Sequence, residues 1–384
     1  MQRIGRYEVL SHLATGGMGQ VYLAKSTGLG GFERQVVVKT LEVDDESDPY
    51  VTMFLDEARL VGALHHQYIA PVYEVGRDET GRYFLVMDYI RGETVEKLWK
   101  RANERGERLP LEVALTVVRS IACALAYAHG LDAPDGTPLE IVHRDVSLSN
   151  IMIGHDGGVK LIDFGIAKSA TRATRTQAGT LKGKFGYLAP EQVLQKPIDH
   201  RADIFALGVV LYELTTMQRA FVASSELVTL ERITKGEVVA PSRHDAKYPR
   251  GLELIVMKAL AVDPRLRFQS AQEFADEVDG FARRSGIALG DAPVATTMVA
   301  MFGGAKRRLG RGSNEMREIE REVPEEIADQ ELTVPLESAT HAAAPSPATM
   351  TAELVPAREG LRGFWIALAL FVVAAGVAVA LGLT

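Results

Sequence analysis

Cysteine is almost absent from this chain of 384 residues, since Cys123 is the only one. A single cysteine excludes an internal disulfide framework and a zinc site built from cysteines, and its apolar neighbours predict a small buried residue rather than a reactive thiol. A basic excess is also missing, because the formal net charge is −7, and nothing therefore favours binding to nucleic acid. The first residues, MQRIGRYEVL, lack the long apolar stretch of a secretory signal. We expect the first domain to stay in the reducing cytoplasm.

Two hydrophobic patterns divide most of the chain. Residues 7–90 contain short alternating or apolar runs between turns rich in Gly and Asp, typical of strands, with one helix expected from about Asp48 to Leu64. From about Thr94 the pattern becomes helical, and long apolar helices are expected at Leu111 to His129 and at Asp203 to Thr216. The sequence predicts an α+β protein with a small lobe rich in β-strands, a helical lobe, and a cleft between them.

The C-terminal part differs in composition. Ala, Pro, Thr and Glu predominate after about Leu289 without a sustained apolar period, so residues 285–361 are predicted to form a disordered linker. Residues 364–383 carry no charge, and a helix of this length, at about 1.5 Å per residue, spans the hydrocarbon core of a bilayer. A buried helix of a soluble protein is the alternative. Because arginines precede this segment and no charge follows it, we expect a single-pass inner-membrane protein in contact with lipid, with the folded part in the cytoplasm and the C-terminus at the outer face.

A glycine-rich segment, LATGGMGQVY, lies between two predicted strands at residues 13–22. Its glycines would let backbone N–H groups approach a phosphate closely, although glycine-rich hairpins are common and the signal is weak alone. Lys39 ends the strand VVVKT, and Glu57 falls near the apolar face of the predicted helix. A buried carboxylate without a partner is costly, so Lys39 is the candidate partner of Glu57, with exposure at the helix edge as the alternative.

Polar residues form a second constellation in HRDVSLSN, residues 143–150, and DFG, residues 163–165. Asn150 and Asp163 offer the oxygen ligands that a hard cation such as Mg²⁺ requires alongside phosphate oxygens. Asp145 is then available to orient an attacking hydroxyl and to accept its proton.

With these motifs in this order, the chain resembles a Hanks-type (eukaryotic-like) bacterial Ser/Thr protein kinase over residues 7–284. The resemblance implies a two-lobed protein kinase fold, with an N-lobe over about 7–90 and a C-lobe over about 91–284. It also implies transfer of the γ-phosphate of ATP, with Mg²⁺, to Ser or Thr hydroxyls of protein substrates. Asp145 would be the catalytic base, Asn150 and Asp163 the magnesium ligands, and Lys39, paired with Glu57, would bind the α- and β-phosphates.

The resemblance further implies a nucleotide site shared by both lobes, with adenine held between apolar side chains and a hinge whose backbone reads the purine. The implied residues are Leu13, Ala14, Gly16, Gly17, Gly19, Val21, Val37, Lys39, Met87 (the gatekeeper), Asp88, Ile90 and Met152. Two structural roles are also implied. Arg267 is placed to pair with Glu191 of the APE motif, and Asp203 would brace the backbone of the HRD turn.

The chain departs from the family pattern at four positions. Val37 replaces the usual alanine over adenine. Ala14 replaces the first glycine of the phosphate loop. Ser147 stands where Ser/Thr kinases usually carry a lysine, and Lys184 stands where they usually carry a threonine. We hypothesise that hydroxyl and ammonium have exchanged positions, with Lys184 reaching toward Asp145 and the γ-phosphate. The alternative is that Lys184 is merely solvent-exposed.

Arg144 would lie near the activation segment, where an arginine favours an anion such as phosphothreonine. Counting back from the APE motif, Thr180 occupies the main phosphosite of the family, and Lys168 is placed to help Arg144 bind it; Thr174 or Thr176 could serve instead. Autophosphorylation is therefore expected, with a second copy of the chain as a candidate partner in trans.

Two other functional classes remain open. A membrane-tethered pseudokinase scaffold would be favoured by loss of Lys39, Asp145 or Asp163, all of which are present. A small-molecule phosphotransferase of similar fold is disfavoured by the APE motif and by the Thr-bearing activation segment.

Overall fold

The computed structural model describes residues 2–16, 19–41, 51, 54–55, 58, 61–133, 135–164, 185–221, 223 and 225–303. These residues form a lobe dominated by one sheet, followed by a larger helical lobe. The predicted two-lobed α+β architecture is confirmed.

The small lobe is an antiparallel sheet in the order β1-β2-β3-β4-β6-β5. Its strands are β1 (Arg3–Ile4), β2 (Tyr7–Gly16), β3 (Gly19–Thr27), β4 (Glu33–Thr40), β5 (Val72–Arg77) and β6 (Tyr83–Asp88). Side chains alternate across the sheet, so Val36 and Val38 of β4 are buried in an outer apolar cluster with Tyr22. The same alternation directs Val37 and Lys39 to the opposite face, toward the other lobe.

Helical residues pack against that second face. The backbone is helical at each described position between residues 51 and 62, which agrees with the helix predicted from about Asp48 to Leu64. These positions are Val51, Phe54, Leu55, Ala58, Val61 and Gly62. Phe54 and Ala58 are buried in one cluster with Leu41 and Leu85.

The large lobe contains a three-stranded antiparallel sheet and the remaining helices. The sheet has the order β7-β8-β9, with β7 (Gly92–Thr94), β8 (Ile151–Gly154) and β9 (Val159–Leu161). The helices are α1 (Val95–Glu104), α2 (Leu111–His129), α3 (Pro190–Val193), α4 (Arg201–Thr216), α5 (Glu226–Lys235), α6 (Pro241–His244), α7 (Arg250–Ala259), α8 (Ala271–Arg284) and α9 (Asp291–Phe302).

Two central helices form the middle of this lobe, as the sequence predicts. Helix α2 has the predicted bounds, and α4 begins at Arg201, two residues before the predicted Asp203. Within the described ranges, α2 is the one helix long and apolar enough to cross a membrane, but 67% of its apolar window is buried. Its apolar character is therefore that of a core helix packed against α4 and α8.

The predicted disordered linker is wrong over its first part, because residues 291–302 form helix α9. Val294, Met298 and Met301 are buried in the core of the helical lobe. These positions recur at helical spacing, but the intervening small residues and threonines hide the pattern from a reading based on composition. Residues 304–384, with the remainder of the linker and the predicted transmembrane helix at 364–383, lie outside the described residues.

Candidate active site

The cleft between the lobes is lined mainly by apolar side chains and by one ion pair. Leu85 and Met87 of β6 contribute from the sheet, Leu161 of β9 contributes from the helical lobe, and the ionic groups are Lys39 and Asp163. A mostly apolar cleft with a few placed polar groups is typical of a small-molecule site.

Strand register brings the predicted adenine contacts of the small lobe together. Val21 of β3 lies opposite Lys39 of β4, and Val37 of β4 lies opposite Met87 of β6. Directly opposed residues on antiparallel strands share a face, so these four side chains line the cleft side of the sheet.

The glycine-rich turn connects β2 to β3, with Gly16 paired to Gly19. At Gly19, φ is +150°, and an added Cβ would lie 1.8 Å from the carbonyl oxygen of Thr40, so only glycine fits there. Ala14 lies within β2 opposite Val21 and has no positive φ, which explains why a methyl group is tolerated. Leu13 is partly exposed on the same strand, and Gly17 lies outside the described residues.

The predicted hinge leads from β6 into β7 and so joins the lobes. The backbone N–H of Asp88 donates to Pro71 O over 3.1 Å, and the Asp88 carboxylate accepts a hydrogen bond from Arg34 over 3.1 Å. The Asp88 side chain is thus engaged by Arg34, and Ile90 follows between the strands. Met152, predicted to contact adenine from the other side, lies in β8.

An ion pair joins the two lobes across the cleft. Lys39 Nζ is 3.0 Å from Asp163 Oδ1. Asp163 has a left-handed backbone, with φ of +53°, a conformation that non-glycine residues adopt at a cost and that is frequent at functional sites. The predicted partner of Lys39, Glu57, lies outside the described residues.

Asn150 fixes the position of the predicted base. Its amide nitrogen donates to the backbone oxygen of Asp145 over 2.8 Å and to Asp145 Oδ2 over 2.6 Å. With both N–H donors so oriented, the amide oxygen of Asn150 is the atom able to ligate a cation. The backbone N–H of Ile162 donates to Asn150 O over 3.0 Å, which holds Asn150 close to the segment that carries Asp163.

The Asp203 side chain holds the backbone of the HRD turn in place, as predicted. Its carboxylate accepts hydrogen bonds from the backbone N–H groups of His143 and Arg144, each over 2.8 Å, and lies 2.9 Å from His129 Nε2. Burial alone would raise the pKa of Asp203, but the hydrogen bond and charge of His129, with the donors of the turn, bring the pKa below its ordinary value. The Asp203 carboxylate is therefore an ionised buried anchor, and it holds Arg144 at a φ of +64°.

The predicted pair of Glu191 and Arg267 is also confirmed. Two parallel contacts of 2.7 Å join the guanidinium to the carboxylate, and the Arg267 side chain is fully buried. Arg267 also donates to the backbone oxygens of Ala261, Arg201 and Val262. A buried charge with this many partners fastens the APE motif to the core of the large lobe.

His143 and Ser149 take part in the site but were missed in the sequence. His143 is fully buried, its Nδ1 accepts from Asp145 N over 3.2 Å, and its Nε2 is 3.2 Å from Ile162 O. Ser149 Oγ lies 3.0 Å from the hydroxyl of Ser147, which is itself buried. The available signal was the presence of three polar residues, Ser147, Ser149 and Asn150, in one short turn.

The remaining predicted groups belong to the activation segment, and Lys168, Thr180 and Lys184 lie outside the described residues. Arg144, their expected neighbour, is described. Its Nε is buried and has no hydrogen-bond partner among the residues that the structure describes.

Comparison with known proteins agrees with the predicted family. The protein kinase domain family matches residues 7–277. The kinase domain of PknI from Mycobacterium tuberculosis is similar in structure, with a TM-score of 0.54, 26% sequence identity, and coverage of 73% of this chain and 97% of that domain.

The curated relatives are longer than the part of them that this chain matches. The tyrosine-protein kinase MasK of Myxococcus xanthus is 40% identical over 304 residues, which cover 79% of this chain and 47% of MasK. The serine/threonine-protein kinase PrkC of Bacillus subtilis is 34% identical over 275 residues, which cover 71% of this chain and 40% of PrkC. The chain thus matches less than half the length of either relative.

Proposed function

Because the chain belongs to the protein kinase domain family, we propose that it is an active enzyme that transfers the γ-phosphate of ATP to hydroxyl groups of protein substrates. The observation that carries this proposal is the 3.0 Å contact between Lys39 and Asp163 across the cleft. This contact supports the proposal because it joins the proposed cation for the nucleotide phosphates to a proposed magnesium ligand. Asp145, oriented by Asn150, supplies the base.

Each group has a separate role in the proposed reaction. Asp145 orients the substrate hydroxyl and accepts its proton. Lys39 binds the α- and β-phosphates and aligns the triphosphate. Asn150 and Asp163 would hold Mg²⁺, which supplies neutralisation of the negative charge on the phosphate oxygens.

The acceptor is proposed to be Ser or Thr, since PrkC carries that name and the motifs match the bacterial Ser/Thr pattern. A second candidate is tyrosine, because MasK is named a tyrosine-protein kinase and Ser147 replaces the lysine usual in Ser/Thr enzymes. Incubation with Mg-ATP and a mixed protein substrate, followed by phosphoamino-acid analysis, should give phosphoserine and phosphothreonine. Phosphotyrosine alone would overturn the assignment, and no incorporation would favour a pseudokinase scaffold.

The same incubation tests autophosphorylation. We propose Thr180 as the principal site, bound by Arg144 and Lys168, because the buried Arg144 Nε has no partner among the described residues and a phosphate would supply one. Phosphopeptide mapping of active enzyme should find Thr180 modified, by the same copy or by a second copy in trans. Active enzyme with unmodified Thr180 contradicts the proposal.

Lys184→Ala tests the proposed exchange of hydroxyl and ammonium. If Lys184 supplies the cation near the γ-phosphate, kcat should fall by about 10²-fold or more. Lys196→Ala, at an exposed lysine beyond the APE motif, is the control and should leave kcat unchanged. A normal kcat for Lys184→Ala would mean that the site works without this lysine.

Membrane attachment through residues 364–383 is proposed from the apolar composition of that segment. The full chain should sediment with inner membranes and resist extraction at high pH, with its kinase domain on the cytoplasmic side. A chain ending at residue 361 should be recovered in the soluble fraction. Equal partition of both chains would contradict the proposal.

A further inference from the structure

Helix α9 lies beyond residue 277, where the family match ends, yet it is fastened to the helical lobe at both ends. At its start, the backbone N–H of Gly290 donates to Thr116 Oγ1 over 3.2 Å. At its end, the guanidinium of Arg105 donates to the backbone oxygens of Ala300 and Met301 over 3.2 and 3.3 Å. Between these ends, Met298 is 1% exposed. The helix is therefore an integral part of the lobe.

The first turn of α9 touches the turn between β8 and β9. Gly157 in that turn has φ of +91°, and a Cβ added there would lie 2.0 Å from Asp291 O and 2.9 Å from the backbone nitrogen of Ala295. No side chain fits between the two backbones. A shift of α9 must therefore change the environment of this turn.

The opposite end of the same hairpin carries both predicted magnesium ligands. Asn150 directly precedes β8, Asp163 follows β9 by two residues, and the bond from Ile162 N to Asn150 O closes the hairpin there. At about 3.3 Å per residue, strands of this length place the α9 contact roughly 10–13 Å from the ligands. The hairpin also meets the segment after the hinge, since His155 N donates to Arg91 O over 2.9 Å.

We propose that α9 is a positioning element for the nucleotide site: its docking against the β8–β9 turn sets the orientation of the hairpin that presents Asn150 and Asp163 to Mg-nucleotide. The proposal rests on the proposed function, since it takes these two residues as magnesium ligands. Release of α9 weakens Mg-nucleotide binding, and by reciprocity bound Mg-nucleotide strengthens the docking of α9. A force that acts on the chain after residue 303 can thereby change Mg-nucleotide binding at the active site.

The test compares adjacent residues of α9 in the full-length chain. Met298→Asp places a carboxylate at a buried position and should detach the helix, whereas Val299→Asp alters a side chain that is 54% exposed. Calorimetry with Mg-ADP should show a Kd raised at least about fivefold for Met298→Asp and changed less than about twofold for Val299→Asp. Hydrogen exchange over residues 291–303 should be faster in Met298→Asp alone, and slower in the wild type when Mg-ADP is bound.

A second pair keeps the test decisive if Met298→Asp does not fold. Gly157→Ala and Gly136→Ala introduce the same substitution at two turns with positive φ. Of the two, Gly157 touches α9, whereas no atom of the described residues lies within 4 Å of the Cβ position of Gly136. Gly157→Ala alone should weaken Mg-ADP binding. Normal Mg-ADP affinity in a variant with faster exchange over α9 overturns this proposal alone. A wild-type chain that binds no Mg-nucleotide overturns the proposed function and this proposal with it.

Discussion

Asp145→Asn should lower kcat by about 10²- to 10⁴-fold, the usual contribution of a positioned general base. The substituted amide can still present an oxygen to Asn150, whose side chain now donates to Asp145 Oδ2 over 2.6 Å. The geometry of the turn should therefore survive while the proton acceptor is lost. Steady-state kinetics should show the loss in kcat with KM for ATP nearly unchanged, and the melting temperature should stay within a few degrees of the wild type.

Asp135→Asn is the matched control for this experiment. Asp135 lies in a turn of the large lobe, where its carboxylate accepts a hydrogen bond from the backbone of Thr137. The same chemical change there should leave kcat within about twofold, since surface substitutions away from special features have small effects. A kcat of Asp145→Asn equal to that of the control would remove Asp145 from the mechanism.

Arg267→Ala should lower the free energy of unfolding by about 3–5 kcal/mol, because it leaves the carboxylate of Glu191 buried without its partner. The double variant Glu191→Leu, Arg267→Met removes both charges and should recover part of this loss. The recovery stays partial because the backbone oxygens of Ala261, Arg201 and Val262 also lose their donor. Urea denaturation monitored by circular dichroism gives the free energy of unfolding of the wild type, of Arg267→Ala and of the double variant.

An exposed ion pair provides the comparison. Arg265 is 2.7 Å from Asp263, but its side chain is 82% exposed, so Arg265→Ala should lower stability far less than Arg267→Ala does. If Arg267→Ala proved as mild, the buried pair would contribute little to the attachment of the APE segment. A loss of phosphoryl transfer in Arg267→Ala at temperatures where it remains folded would show that the pair also orders the substrate side of the cleft.

Most of the architecture could be predicted because its signals are local. The bounds of α2 follow from a sustained apolar run between Pro110 and Gly130, which begin and end helices well. Membership of the Hanks-type kinase family, predicted from the spacing of Asp145, Asn150 and Asp163, is confirmed by the family match over residues 7–277.

The parts that were missed depend on distant contacts. Nothing local indicates that Gly19 is needed for close approach to the backbone of Thr40, or that His143 bridges two segments of the site. Helix α9 was missed for the same reason. Few of its positions are buried, and their side chains stabilise the helix only when they pack on the helical lobe, as Met298 does. These features depend on tertiary packing, which the composition of a segment does not reveal.

The anchoring of the HRD turn on Asp203 separates two tasks within one cleft. Asp203 belongs to α4, which is buried in the large lobe, so the turn that carries Asp145, the proposed base, takes its geometry from the interior of that lobe. Lys39 and Val37, by contrast, belong to a thin sheet. Substitutions in that sheet that spare Lys39 should therefore change how tightly the proposed nucleotide is held, while the proposed base keeps its orientation.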